Sequence, residues 1–268
     1  MIKKLELDKI INRKLVDILK TKIVYQYSSF ETSLNKIILE KTIRFSNPEK
    51  FNDPFDCNER LLDINFKNKS VNHHIKELSK KKLSFRKKQE MIKKLNSPET
   101  LTNMFKKRKK EFKISCFSKL SNEVLMWSHY ANKHSGICVG FDFGFKYQDK
   151  FILCPIDYYN KIENLDGECD TRQVFLYWLT SKSERWRYEE EIRAISNSMT
   201  TDDYEYIKYE NKHIKEIIFG CNVSELMIKE AIDKIRKSDL NINNITFKRM
   251  IIDSKTFLLK ENILKPNA

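Results

Sequence analysis

KEIIFG (residues 215–220), SELMIKEAIDKIRKS (224–238) and ITFKRMIID (245–253) follow one another near the end of the chain and read as strand, helix and strand, with TFLLKENI (256–263) a further strand that pairs with the one before it. Upstream the order becomes irregular. KIVYQYSS reads as a strand, FETSLNKIILEK as a helix with Leu34, Ile37 and Ile38 on one face, and TIRFS as a strand. KISCFS, GICVGFDF and FILCPIDYY are three more strands. NEVLMWSHYAN and TRQVFLYWLTSKS are helices, and RYEEEIRAIS and EYIKYEN are strands. Strands and helices are thus mixed without an internal repeat or a long linker. An α+β fold is expected rather than a regular α/β layer: a single domain over residues 1–268 with a mixed or split β-sheet.

Two segments stand outside this pattern. Residues 3–20 place Leu5, Ile10, Ile11, Leu15, Ile18 and Leu19 at helical spacing, so residues 1–22 form a leading helix. Residues 67–113 hold seventeen Lys/Arg against four Glu, so thirteen of the fourteen net positive charges lie there. They read as a charged helical insertion of two or three helices (VNHHIKELSKKKL, SFRKKQEMIKKL, ETLTNMFKKRKKEF). Such a block grips phosphates or an anionic surface, with Lys80, Lys81, Lys82, Lys107, Arg108 and Lys109 as the candidate nucleic-acid contacts. A Lys-, Ile- and Asn-rich composition also arises from an AT-rich genome, which would make the same block a solvated face.

No stretch reaches the roughly 18 unbroken apolar residues of a membrane span, and the first twenty residues are charged throughout, so a cytoplasmic protein without a membrane partner is expected. Cys57, Cys116, Cys138, Cys154, Cys169 and Cys221 are scattered, with no C-x-x-C pair and no zinc-finger spacing. They read as free thiols, and no metal site is assigned.

Three segments carry polar residues that composition does not explain. Phe51-Asn52-Asp53-Pro54-Phe55-Asp56 is either an Asx-turn anchored by Phe51 and Phe55 or a rigid loop presenting Asn52 and Asp53 to a ligand. In LMWSHYANKHSG, helical spacing brings Trp127, Tyr130 and Ala131 together and turns His129 to another side. Trp127 and Tyr130 then fill the core, or His129 and its neighbours hydrogen-bond or stack on a ligand. In KSERWRYEEEIRAIS (182–196), strand alternation sends Glu189, Glu191 and Arg193 to one face and Ile192 and Ala194 to the core, with Trp186 and Tyr188 as an aromatic flank. That face is either an exposed ladder or a site in which one acid polarises a substrate while the other is hydrogen-bonded. A site requires that Asn52, Asp53, His129 and Glu191 converge.

Taken together, FSNPEKFNDPFD, ISCFS, LMWSHYANKHSGICVGFDF, KSERWRYEEEIRAI and IKEIIFG resemble the bacterial family known as domain of unknown function 2971, from about Tyr25 to the C-terminus. More remotely, the layout is similar to that of ADP-ribosyltransferases. This second resemblance implies an NAD-dependent glycosyl transfer, of the kind carried out by a toxin or phage-defence effector. It places Tyr27 or Ser28 and then Ser46 at the NAD contacts, Glu191 at the catalytic position and Glu189 as its upstream partner. Glu191 would supply negative charge near the cation that develops, and Trp127, Trp186 or Tyr130 an aromatic surface for the leaving nicotinamide ring. Two other readings stay open. One is a non-catalytic nucleic-acid-binding or sensor module using the basic insertion. The other is a metal-dependent nuclease with Asp53, Asp56, Glu189 and Glu191 around Mg²⁺.

Overall fold

A computed structural model describes residues 2–61, 64–65, 84–87, 89–90, 98–144, 149–163, 165–166, 171–198 and 200–265. The chain is α+β, built on a mixed sheet. Helix α1 (Lys4–Lys20) leads into β1 (Val24–Ser28), a π-helical turn (Thr32–Leu39) and β2 (Thr42–Ser46). After the short β3 (Ile64–Asn65) come α2 (Pro98–Lys109), β4 (Ile114–Ser118), α3 (Val124–Tyr130), β5 (Ile137–Phe141), β6 (Phe151–Pro155), β7 (Asp157–Tyr159) and β8 (Leu165–Asp166). The C-terminal part comprises α4 (Thr171–Leu179), β9 (Ser181–Ser183), β10 (Glu191–Ser196), β11 (Tyr204–Lys208), β12 (Ile214–Phe219), α5 (Glu225–Arg236), β13 (Thr246–Ile252) and β14 (Leu259–Ile263).

The β-α-β tail forms as its periodicity requires: β12 and β13 pair in parallel across α5, and β13 and β14 pair antiparallel from Lys248↔Ile263 to Ile252↔Leu259. Of the basic insertion, the third expected helix is α2. The first, with Lys80, Lys81 and Lys82, lies outside the described residues, as does Cys169.

The sheet divides at β4. On one side β4 pairs with β10 along its length, from Glu191↔Ser118 to Ile195↔Ile114, and β10 pairs in turn with β6. On the other side β4 meets β1 at Tyr25↔Ser118 and β2 at Ser46↔Ile114. Cys116 lies midway between these two bridges, where β1 and β2 part.

Each face of the sheet has a different interior. One face carries Val24, Phe117, Val139, Ile192, Ala194 and Phe219, closed by the π-helical turn (Leu34, Ile37, Ile38) and α5 (Ile228, Ala231, Ile235). Each fully buried side chain of this kind contributes about 1.5–3 kcal/mol. The opposite face has two separate apolar clusters. Trp127 and Met126 of α3, with Ala131 just past its end, pack on Tyr27, Cys138 and Ile218. Trp178, Val174 and Leu179 of α4 pack with Leu7 of α1 on Ile114, Cys154 and Ile195. Glu191 and Arg193 project between these two clusters. The polar centre therefore sits in the seam of the core.

Candidate functional site

On β10, Glu191 and Arg193 share a face, and both are buried, Arg193 completely. Arg193 Nε donates to Glu191 Oε1 at 2.7 Å. Its Nη1 donates to the Leu179 carbonyl at 2.7 Å and to Cys57 Sγ at 3.3 Å, and its Nη2 to both oxygens of Asp56 at 2.6 Å. The Phe51 ring lies 5.4 Å from the guanidinium carbon. A buried arginine is tolerated where its donors are met in this way.

Asp56 arrives from the loop that proline brackets. The Asx-turn is present: Asp53 Oδ1 accepts from Phe55 N–H at 2.9 Å and Asp56 N–H donates to the Asp53 carbonyl at 3.1 Å. Phe51 anchors the loop as expected. Phe55 is 60% exposed and does not, because the turn points it away from the core. Cys57 then takes a left-handed conformation (φ 48°) that keeps both Asp56 and the Cys57 thiol toward Arg193. Burial pushes that thiol up to about 12.

Glu189 corrects the strand reading. Residues Glu184–Glu189 form a 3₁₀ turn in which the Ser183 hydroxyl accepts from the Arg185 amide, and left-handed Glu190 (φ 42°) redirects the chain into β10. The physical reason is Lys182. An extended chain would put residues 182 and 189 about 23 Å apart, whereas Lys182 Nζ donates to Glu189 Oε2 at 2.5 Å and to Glu191 Oε2 at 2.8 Å, with Asp56 3.9 Å away. The Glu189 carbonyl accepts from the Ser118 hydroxyl at 2.6 Å, and Glu191 N–H donates to the Tyr158 hydroxyl at 2.8 Å, so the bend is pinned to its neighbours.

Three carboxylates against two cations leave one excess negative charge in a largely buried space. The two glutamates respond in opposite directions. Burial raises the Glu189 pKa, and the attraction of Lys182 does not offset it, since the Glu191 charge adds to the rise. Burial opposes ionisation of Glu191 too, but Arg193 and Lys182 together hold its carboxyl below the usual carboxylate range. Burial likewise works against the Lys182 charge, yet Glu191, Glu189 and Asp56 keep the ammonium protonated. The Tyr130 hydroxyl donates to Glu189 Oε1 at 2.7 Å, and the exposed Asn52 side chain lies beside the same hydroxyl. The loop, α3 and β10 thus converge, with Asn52, Tyr130, Glu189, Lys182, Glu191, Arg193 and Asp56 in one chain of contacts.

Two openings reach this chain. A cleft of about 200 Å³ has Asp53, Asp56 and Lys182 on its inner wall, with Tyr159, Ser181 and Ser183 around them. On the other side is Cys116, which sits mid-strand beside Arg193 yet is exposed, so its thiol looks into a recess where β1 and β2 part. Surrounding protein pushes that thiol pKa well up, helped by Glu191 and opposed by Arg193. Half-buried Trp186 lies over Lys182, its ring centre 5.1 Å from Nζ.

Several expected residues lie elsewhere. Trp127 is core: it packs edge-on against Tyr27 with centroids 5.2 Å apart, and its indole N–H donates to the Ser121 carbonyl at 2.8 Å. The Tyr27 hydroxyl is taken by the Leu120 carbonyl at 2.7 Å, and the Ser28 hydroxyl faces that of Ser33 at 2.5 Å. Ser46 pairs with Ile114, four residues along β4 from Ser118 beside Glu191, about 13 Å away. His129 is exposed on the outer side of α3 and does not join Asn52, Asp53 and Glu191. Among the basic residues, Lys107 and Arg108 are exposed at the end of α2, Arg108 bonded to Glu111 at 2.7 Å, while Lys109 is half-buried.

The point where Asp56, Glu189 and Glu191 meet is held by the Lys182 ammonium, the place a divalent ion would take. Among the described residues no group of three or more His, Cys, Asp or Glu is placed to hold a metal ion. Lys182, Tyr158 and Cys116 were not singled out in the sequence. The one signal for Lys182 was its position in LTSKS, a lone cation between apolar α4 and the glutamate segment.

The fold and site define an α+β protein with a mixed-charge cluster buried at the division of its sheet. Residues 126–194, from α3 into β10, match the family described as "Protein of unknown function (DUF2971)". No curated protein and no solved structure matched the chain. No helix among the described residues is long and apolar enough to cross a membrane.

Proposed function

We propose that the chain is a glycosyl-transfer enzyme of the ADP-ribosyltransferase-like kind, cleaving the nicotinamide–ribose bond of NAD at the Glu189–Glu191 cluster. One observation carries this reading: two glutamates bonded to the same ammonium have their pKa values driven apart. Paired carboxyls so divided are the usual basis for one fixed anion and one exchangeable proton. Here Glu191 is the fixed anion, opposed to positive charge growing at a ribosyl carbon. Glu189, with the Tyr130 hydroxyl and Asn52, is the group that takes up or gives a proton. The 200 Å³ cleft beside Asp56 and Lys182 suits a single aromatic ring rather than a whole dinucleotide.

The test is nicotinamide release from NAD, followed by chromatography, for the wild type and Glu189→Gln. The amide keeps the shape and the acceptor for Tyr130 but removes the proton exchange, so activity falls by about 10²-fold or more while circular dichroism is unchanged. Full activity in the folded variant would end the proposal.

A second reading rests on exposed Lys107 and Arg108: α2 delivers the protein to nucleic acid. It requires an affinity that falls steeply with salt and a shallower salt slope in Lys107→Gln/Arg108→Gln. Binding indifferent to both changes would discard it.

A further inference from the structure

We propose that the cavity beneath α1 binds a long-chain fatty acid, carboxylate outward. This site is separate from the charged cluster and does not depend on its reading. The cavity holds about 910 Å³ between α1 and the sheet, within the range of ligand sites and far above the water-sized voids of a packed interior. Its walls are apolar. Leu15 (57% exposed) and Leu19 (58%) of α1 and Ile152 (41%) of β6 all line it, so the exposed apolar surface of these residues gathers around one half-open groove.

The shape selects a thin occupant. Lys14 ties α1 to the Pro155 carbonyl at 2.5 Å and to Asp157 at 2.6 Å, and Asp17 ties it to Lys119 at 2.6 Å. A polypeptide helix, about 10 Å across, would have to break these ties to enter. An alkyl chain would not. The charge at the lining selects the head group: Lys14, Lys22 and Arg108 stand against Asp142. Lys14 is committed to Asp157, whereas Lys22 is exposed and has no acidic partner among the described residues. A carboxylate beside Lys22 leaves the chain in apolar surroundings.

Titration calorimetry on the full chain with hexadecanoate, octanoate and hexadecanol tests this. Saturable one-to-one binding of hexadecanoate is expected, with octanoate weaker by about tenfold or more, because a shorter chain buries less apolar area. Ile152→Trp fills the cavity and weakens hexadecanoate about tenfold or more at an unchanged melting temperature. If that variant does not fold, Leu15→Trp, on the helix surface, makes the same test. Lys22→Glu weakens hexadecanoate about tenfold and leaves hexadecanol unaffected. Unsaturable uptake, wild-type binding by a folded Trp variant, or an equal effect of Lys22→Glu on acid and alcohol would overturn the proposal. So would concentration-dependent dimerisation without ligand uptake, which would give the cavity to a second copy of the chain.

Discussion

Arg193 Nη2 bonds both carboxylate oxygens of Asp56 at 2.6 Å, joining the proline-bracketed loop to the centre of the sheet across 137 residues of chain. Arg193 is fully buried, and Asp56 keeps only a sliver of surface at the cleft wall. The pair is one half of a network whose other half is Lys182 with Glu189 and Glu191, and Glu191 belongs to both.

Asp56→Asn should therefore be costly out of proportion to its size. It leaves a buried guanidinium with Glu191 as its one remaining carboxylate, and breaking a buried pair from one side costs about 3–5 kcal/mol. Urea denaturation would measure it. Arg193→Met should cost as much, and the double variant less than the sum of the two. Additive losses would show that the two side chains do not act as a unit.

The pH dependence follows from the two glutamates, with opposite signs. Glu191, whose folded pKa lies below its ordinary 4.5, contributes stability that is present above that value and lost as pH falls through the folded pKa. Glu189, raised above 4.5, contributes stability that is complete below 4.5 and lost as pH rises through its folded pKa. Glu189→Gln removes the second effect and leaves the cluster neutral. Its stability relative to the wild type should thus improve between about pH 5 and 8. Denaturant midpoints at the two pH values check this, and a constant difference would contradict the assignment.

Strand alternation was enough to place Glu191 and Arg193 on one face and Ile192 and Ala194 in the core. Pro54, whose ring fixes its own backbone and restricts the residue before it, was enough to mark Phe51–Asp56 as a rigid loop. Those are local signals, repeated at a period or set by a ring. Lys182 was not legible because its role is a set of distances to Glu189, Glu191 and Asp56, and the 3₁₀ turn that creates two of them comes from tertiary pairing over propensity. Trp127 and Trp186 looked alike in the sequence as aromatic walls. Only packing separates them: α3 buries one against Tyr27, and the turn holds the other over Lys182.

If Glu189 exchanges a proton in the proposed reaction, the pH profile of nicotinamide release should shift in Tyr130→Phe. The phenol donates to Glu189 Oε1, and hydrogen bonding to the carboxylate lowers its pKa. Without it the Glu189 pKa rises further, and the limb of the kcat/KM profile governed by that group moves to higher pH. A profile that falls in height without moving would assign Tyr130 a purely structural part.

Thiol chemistry offers a way to locate the recess. Cys116 is exposed at the middle of β4, Cys57 is buried against Arg193, and Cys221 is half-buried near the protein surface. Burial among protein atoms, and then Glu191, raise the Cys116 pKa, so at neutral pH the thiolate is scarce and alkylation slow. Raising the pH increases the thiolate. Methyl methanethiosulfonate, small and uncharged, should modify Cys116 faster at pH 9 than at pH 7, as read by peptide mass spectrometry with Cys221 as reference. Cys57, with its thiol pushed up to about 12 and no exposed surface, should remain unmodified at both pH values. Modification of Cys57 at the same rate as Cys116 would mean that the Asp56 loop opens on the timescale of the reaction, and the route to Arg193 would then run through that loop instead of through the division of the sheet.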